Sequence, residues 1–276
     1  MLKGKTALVT GSTSGIGLGI ARAFAREGVD VMIHGLGEAA AIERIRAALA
    51  EETGVTVRSH AADVSQPDEV RRLIADTEEA FGAIDILVNN AAGNFLAPSE
   101  DLSPRAFDAV VRTVLHGTFH TTLAAGRRMI ERGAGSILNI VTTYAWTGSA
   151  FVVPSAAGKA GVLAMTRSLA VEWATYGIRV NAIAPGPFPT EGAWSALMPT
   201  PEVEAQAKAR IPAGRFGDHD ELTNLAAFLV SDAAPFITGE VVTIDGGEWL
   251  GSGGEFNHLT RVPREEVKKV MRKMRR

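Results

Sequence analysis

Apolar positions along this chain fall into two patterns, short apolar-rich runs and longer stretches with an apolar residue every three or four places. The runs at residues 6–9, 30–33, 55–61, 84–88, 136–141, 179–184 and 241–244 predict buried strands. Helical spacing predicts helices over 18–27, 38–52, 104–131 and 221–231, and another beginning near Ser155. The long helix carries Phe107, Val110, Val111, Val114 and Leu115 on one face, and the Ser155 helix carries Val162, Met165, Leu169 and Trp173. Strand and helix alternate with no linker or repeat, which predicts α/β architecture, a central parallel β-sheet in a three-layer, doubly wound fold. Residues 1–276 read as one domain, with a proline-bounded flap at about 187–213 and a tail at about 263–276.

The turn after the first strand is Thr10-Gly11-Ser12-Thr13-Ser14-Gly15-Ile16-Gly17. Strand, glycine-rich turn and helix in that order place a pyrophosphate on a helix N-terminus, the mark of a Rossmann dinucleotide site. Gly11, Ser12, Thr13, Ser14, Gly15, Ile16 and Gly17 are therefore candidate cofactor contacts. Cofactor type is set after the second strand, where an acidic residue binds the adenosine ribose and an Arg attracts a 2′-phosphate. Here the run is His34-Gly35-Leu36-Gly37, with neither, so both NAD and NADP are admitted, with His34 and Leu36 at the deciding place. His34 has two readings, a ribose or phosphate contact or a packed core residue. Asp63, followed by Val64, likewise either bonds an adenine amino group or caps the helix that begins near Gln66. After the fourth strand comes Asn89-Asn90-Ala91-Ala92-Gly93-Asn94-Phe95. Asn89 reads as a structural brace between strands, and Asn94 as the residue further out towards a substrate.

The chemistry concentrates in Thr142-Thr143-Tyr144-Ala145-Trp146-Thr147-Gly148 and Pro154-Ser155-Ala156-Ala157-Gly158-Lys159. Tyr144 lies just past the carboxyl end of a predicted parallel strand, where open α/β sheets bind ligands. Ser155 and Lys159 are four apart on one helix and share a face. A phenol, a hydroxyl and an ammonium in one crevice suit proton movement and oxyanion binding. Downstream, Phe188, Trp194, Leu197 and Met198 either line an apolar substrate channel or belong to the core.

Composition removes several classes. A net charge of −3 gives no electrostatic case for nucleic acid. With no cysteine and six scattered histidines, neither disulfides nor a metal site is expected. Met1 leads directly into a strand pattern and no apolar run is long enough for a bilayer, so a cytoplasmic protein without membrane contact is expected. The tail sets Arg264, Lys268, Lys269, Arg272, Lys273, Arg275 and Arg276 against Glu265 and Glu266. It reads as a solvated or subunit-contacting helix, with a phosphate-binding role for a long substrate as the second reading.

Thr10-Gly11 with Gly15 and Gly17, Asn89-Asn90-Ala91, Lys159 and Pro185-Gly186 resemble the short-chain dehydrogenase/reductase family over essentially the whole chain. In that family a catalytic Tyr stands four residues before the Lys, where this chain has Ser155. The family's Ser corresponds to Thr142, and its long-helix Asn to His116. These departures match one subgroup. The runs 89–95, 142–148 and 151–162, Pro185-Gly186-Pro187 and Gly254-Glu255-Phe256-Asn257 resemble 2,4-dienoyl-CoA reductases of the mitochondrial type, although His116 departs from those too. The stretch from Met1 to about Val70 is more similar to bacterial 3-hydroxybutyrate dehydrogenases, which use NAD.

The resemblance implies Asn94, Tyr144, Ser155 and Lys159 as catalytic residues, with Asn90, Ala91, Pro185, Gly186 and Thr190 joining the cofactor contacts. Substrate would meet Asn94, Phe95, Tyr144, Ser155 and Phe188. It further implies NAD(P)H-dependent reduction of 2,4-dienoyl-CoA thioesters, an acyl-CoA partner and a homotetramer. Two alternatives stand beside this: a short-chain carbonyl or 3-hydroxyacyl oxidoreductase in which Tyr144 moves the proton, and a protein that binds nicotinamide cofactor without turnover.

Overall fold

A computed structural model describes residues 1–190 and 200–274. Seven strands form one parallel sheet: β1 (Thr6–Val9), β2 (Asp30–His34), β3 (Val57–His60), β4 (Ile86–Asn89), β5 (Gly135–Ile140), β6 (Ile178–Pro185) and β7 (Val241–Ile244). Their order is β3-β2-β1-β4-β5-β6-β7. The order reverses between β1 and β4, and a crevice opens there at the carboxyl ends of the strands.

The inner strands β1, β4 and β5 are buried on both faces, which is why they read as largely apolar runs. Edge strand β3 buries Val57 and exposes Arg58. Ala7, Val9, Val31, Ile33, Val88 and Ile140 face one core with Ile20, Phe24, Leu222 and Ala226. Leu8, Met32, Leu87, Ile137 and Val180 face the other, with Leu73, Ala125, Met129 and Trp173. Helices α1 (Gly15–Arg26) and α2 (Ala39–Thr53) cover the first face. Helices α3 (Pro67–Phe81), α5 (Gly117–Arg132) and α7 (Val153–Trp173) cover the second. The expected doubly wound, three-layer sheet is the one observed.

The long helix expected over 104–131 is interrupted. It runs as α4 (Pro104–Val111), a π-helical turn at Arg112–His116, and then α5. Gly117 follows that turn and packs so tightly on Val64 that an added Cβ would come within 2.6 Å of it. The wide turn leaves His116 exposed, its ring 6.3 Å from that of His120. A short helix α6 (Tyr144–Thr147) follows β5. Beyond β6 lie α8 (Pro201–Arg210), α9 (His219–Val230), α10 (Glu248–Gly253) and the tail helix α11 (Arg264–Met274). Helix α9 joins α1 and α2 on the first face. Among the described residues no helix is long and apolar enough to cross a membrane.

Candidate active site

The glycine turn is held by its neighbours rather than by itself. Gly11 adopts φ +62°, and a Cβ on it would lie 2.8 Å from the Ala91 Cα. A Cβ on Gly17 would lie 2.3 Å from the Gly11 carbonyl oxygen, so both positions require glycine for space. The Asn90 amide donates to the Thr10 and Gly11 carbonyls at 3.1 and 2.9 Å, and Thr10 Oγ1 accepts from the Asn90 and Ala91 N–H groups. The β1 and β4 turns are thereby fixed as one unit. Helix α1 starts at Gly15 with no side-chain cap from Ser14 and no acidic residue in its first turn, so its amide dipoles favour an anion. Thr13, Ser14, Gly15, Ile16, Leu36, Asp63, Val64, Ala91 and Thr190 line the cleft in front of it, of about 550 Å³.

Two residues expected to face a cofactor are turned to other work. The Ser12 side chain is fully buried; Oγ donates to the Val9 carbonyl at 2.6 Å and accepts from the His34 N–H. His34 is only 2% exposed, and both ring nitrogens bond backbone, Nδ1 accepting from Gly11 N–H at 3.1 Å and Nε2 donating to the Ala62 carbonyl at 2.8 Å. Desolvation holds the His34 pKa below its ordinary value. Of the two open readings the packed one describes His34. Asp63 does not cap α3, whose N-cap is Gln66; its carboxylate accepts from the Ser65 N–H at 2.9 Å and so fixes the preceding turn. Leu36 stands exposed at the rim.

Thr190 also borders a second, larger cleft of about 1040 Å³. Tyr144 sits on its wall at the start of α6, and the phenol oxygen is 3.0 Å from Ser155 Oγ. Ser155 is buried, so it reaches the cleft through Tyr144. One turn further along α7, Lys159 is buried and its Nζ donates to the Ile140 carbonyl at 2.5 Å. Desolvation lowers the Lys159 pKa to about 8. The structure thus brings Tyr144, Ser155 and Lys159 together around the carboxyl end of β5. Asn94 and Phe95 are exposed on the loop after β4, and among the described residues the Asn94 side chain makes no hydrogen bond. That loop is tied near the start of α7 by the Ala97 N–H, which donates to the carbonyl of Phe151, a residue at φ 66°.

Asn89 is the brace expected, but through side chains: its amide donates to Thr122 Oγ1 and Asn139 Oδ1, and its oxygen accepts from Thr121. Phe188 borders the cleft with only 7% of its surface exposed, its ring against Gly217 and His219. It belongs to the core and forms the floor rather than an open channel wall. Gly186 closes on Asp245, where a Cβ would meet the Asp245 Cβ at 2.6 Å. Trp194, Leu197 and Met198 lie outside the described residues.

Sequence reading missed the far wall. Asp245 accepts from the Gly247 and Trp249 N–H groups and starts α10, which presents Trp249 and Leu250 to the cleft. Trp249 stacks on Trp146 of α6, with ring centroids 5.1 Å apart and planes at 25°. Glu248 also borders this cleft, its pKa raised by burial and opposed by Arg210 at 3.7 Å. No periodicity marks a pair of tryptophans about a hundred residues apart.

Known proteins resemble this chain over most of its length. A family model described as Enoyl-(Acyl carrier protein) reductase matches residues 11–248. A Bacillus subtilis protein named "Probable 2,4-dienoyl-CoA reductase" is 43% identical over 248 residues, 89% of this chain and 97% of the relative. The D-beta-hydroxybutyrate dehydrogenase of Cupriavidus necator is 38% identical over 91% of this chain and 99% of its own. Among solved structures, a short chain dehydrogenase from Bacillus anthracis superposes with a TM-score of 0.79 at 42% identity, covering 90% of this chain and 98% of that one. A gluconate 5-dehydrogenase from Burkholderia cenocepacia, in complex with NADP and tartrate, gives 0.83 at 37% identity, covering 90% and 96%.

Proposed function

The chain belongs to the short-chain dehydrogenase/reductase family, and on that premise we propose that it reduces 2,4-dienoyl-CoA thioesters with NADPH or NADH. The observation that carries this reading is the contact between Tyr144 and Ser155. The family's phenol position four residues before Lys159 holds a hydroxyl, and a phenol from another element reaches that hydroxyl. The phenol thus comes from α6, and α7 supplies the hydroxyl it meets.

The first cleft suits the cofactor: Gly11 and Gly17 leave no room for a Cβ, and the uncapped α1 N-terminus favours a pyrophosphate. Gly11 to Ile16 and the Asn90-Ala91 turn would hold the diphosphate, Asp63 and Val64 the adenine side, and Thr190, Pro185 and Gly186 the nicotinamide end. When bound, the cofactor supplies hydride to the far end of the conjugated thioester, and charge develops on the thioester oxygen as a dienolate. Tyr144 and Asn94 would donate to that oxygen, each donor contributing on the order of 3 kcal/mol in the transition state. Ser155 orients the phenol through their shared hydrogen bond. Lys159, held by the Ile140 carbonyl, would supply positive charge to the nicotinamide ribose. Protonation of the dienolate is left to water.

The wider cleft walled by Trp249 and Leu250 is consistent with an acyl chain. A homotetrameric, cytoplasmic enzyme built as a single dinucleotide-binding domain belongs to the same proposal, supported by the family resemblance; light scattering tests the assembly. A second reading, reduction of a 3-oxoacyl or other carbonyl group, has one favourable observation, since Tyr144 hydrogen-bonded to Ser155 above Lys159 is also a proton-relay geometry. Incubation with hexadienoyl-CoA and each reduced cofactor, with mass and double-bond position read in the product, separates the two.

A further inference from the structure

Before any nucleotide arrives, one imidazole joins the glycine turn to the wall of the first cleft after β3. Gly11 N–H donates to His34 Nδ1, so Nδ1 carries no proton and Nε2 carries the one donated to the Ala62 carbonyl. The same residue's backbone is locked to the glycine turn twice more, by Ser12 N–H to the His34 carbonyl at 2.7 Å and His34 N–H to Ser12 Oγ at 2.9 Å. The ring therefore spans three strand ends: the turn after β1, its own β2, and the Ala62-Asp63-Val64 wall after β3.

We propose that His34 is a proton-sensitive positioning residue, whose neutral ring fastens the glycine turn to the adenine-side wall and whose protonation releases that fastening and weakens nucleotide binding. A second proton on the ring would point an N–H at the Gly11 N–H, with no acceptor between them. Gly11 sits in the left-handed region, where its own backbone gives the turn little resistance to rearrangement. Two charged or titratable groups act on the ring, both from the β3 side. His60, opposite on β3, disfavours a second charge, and Asp63 favours it. His60 is itself bonded to Asp76 through Nε2 at 3.0 Å, with Nδ1 buried and unpartnered among the described residues. The net direction is a lowered pKa, which puts the switch at acid pH.

The inference rests on the nucleotide reading of this cleft. The probe is ADP-ribose, whose diphosphate diester carries constant charge over the range used, titrated into the full chain by calorimetry. Wild type should bind about tenfold more weakly at about pH 5.5 than at about pH 8, the scale of one lost buried hydrogen bond. His34→Asn, which keeps an acceptor and a donor without titrating, should bind with no such pH dependence. His60→Gln should keep a pH dependence, moved towards higher pH because His60 no longer disfavours the charged ring. Nitrogen-15 shifts of the His34 ring should show the Nδ1 acceptor converting over the same interval. Equal wild-type affinity at both pH values, or a dependence that survives in His34→Asn and vanishes in His60→Gln, overturns the inference. Failure of ADP-ribose to bind at any pH overturns the nucleotide reading on which it stands.

Discussion

Tyr144 and Ser155 share a hydrogen bond of 3.0 Å although they stand eleven positions apart on two different helices. The oxygen of a phenol arriving on α6 is thereby held against the hydroxyl that α7 offers one turn before Lys159. Tyr144→Phe should lower kcat by roughly 10² to 10³ while leaving cofactor affinity near wild type, because the donor acts on charge that develops only in the transition state. Stopped-flow reduction beside a cofactor titration checks both halves. Ser155→Ala should give a smaller loss of kcat, since it frees the phenol's orientation without removing it.

Lys159 should set an alkaline limb. Its folded pKa is about 8, below the ordinary 10.5, so the ammonium is present below pH 8 and is lost as pH rises through it. If the cation is the working form, kcat/KM for the thioester at saturating cofactor stays level on the acid side and falls above about pH 8. Lys159→Arg should move that limb beyond the measurable range. The same shift makes burial of the ammonium a folding cost that is relieved between about 8 and 10.5. The stability difference between wild type and Lys159→Met should therefore move in favour of wild type across that interval. A flat kcat/KM profile to pH 10 would remove the charged lysine from the mechanism.

Much of this fold was legible in the sequence because parallel strands covered on both faces leave apolar runs, unbroken in Ile86 to Val88 and interrupted only by Asn181 in Val180 to Ala184. The glycine turn was legible for a related reason, since Gly11 and Gly17 are fixed by backbone crowding that no other residue relieves. What could not be read was partnership across long separations. The sequence placed His34 at the deciding turn but could not show its ring turned inward to Gly11 and Ala62. The stacking of Trp146 on Trp249 depends on where β7 leads the chain, and the π-helical turn at Arg112–His116 leaves no mark on apolar spacing.

Cofactor choice should be weak. Leu36 is exposed at the rim, and the run His34-Gly35-Leu36-Gly37 holds neither a carboxylate to repel a 2′-phosphate nor an Arg to grip it. NADPH and NADH should differ by less than about tenfold in affinity, under roughly 1.4 kcal/mol. Leu36→Arg should favour NADPH in a manner that weakens with added salt, and Leu36→Asp should favour NADH. Fluorescence titration of both cofactors into all three proteins reads this, and a hundredfold wild-type preference would place the discriminating contact elsewhere.

Gly17→Ala should damage the nucleotide cleft more than the fold. The added methyl would sit 2.3 Å from the Gly11 carbonyl and 2.4 Å from the Asn90 amide, so the turn must move. The expected result is a stability loss of about 1–3 kcal/mol with nucleotide affinity lowered tenfold or more. Thermal unfolding with and without cofactor separates the two effects, and wild-type affinity in this variant would show that the turn does not hold the diphosphate.

The most direct test compares kcat/KM for hexadienoyl-CoA and acetoacetyl-CoA in the wild-type enzyme and in Tyr144→Phe, with saturating reduced cofactor. Hexadienoyl-CoA should be the better substrate for the wild type, and its turnover should collapse in the Phe variant. Faster reduction of acetoacetyl-CoA by the wild type, or full dienoyl reduction without the phenol, would contradict the dienoyl reductase assignment.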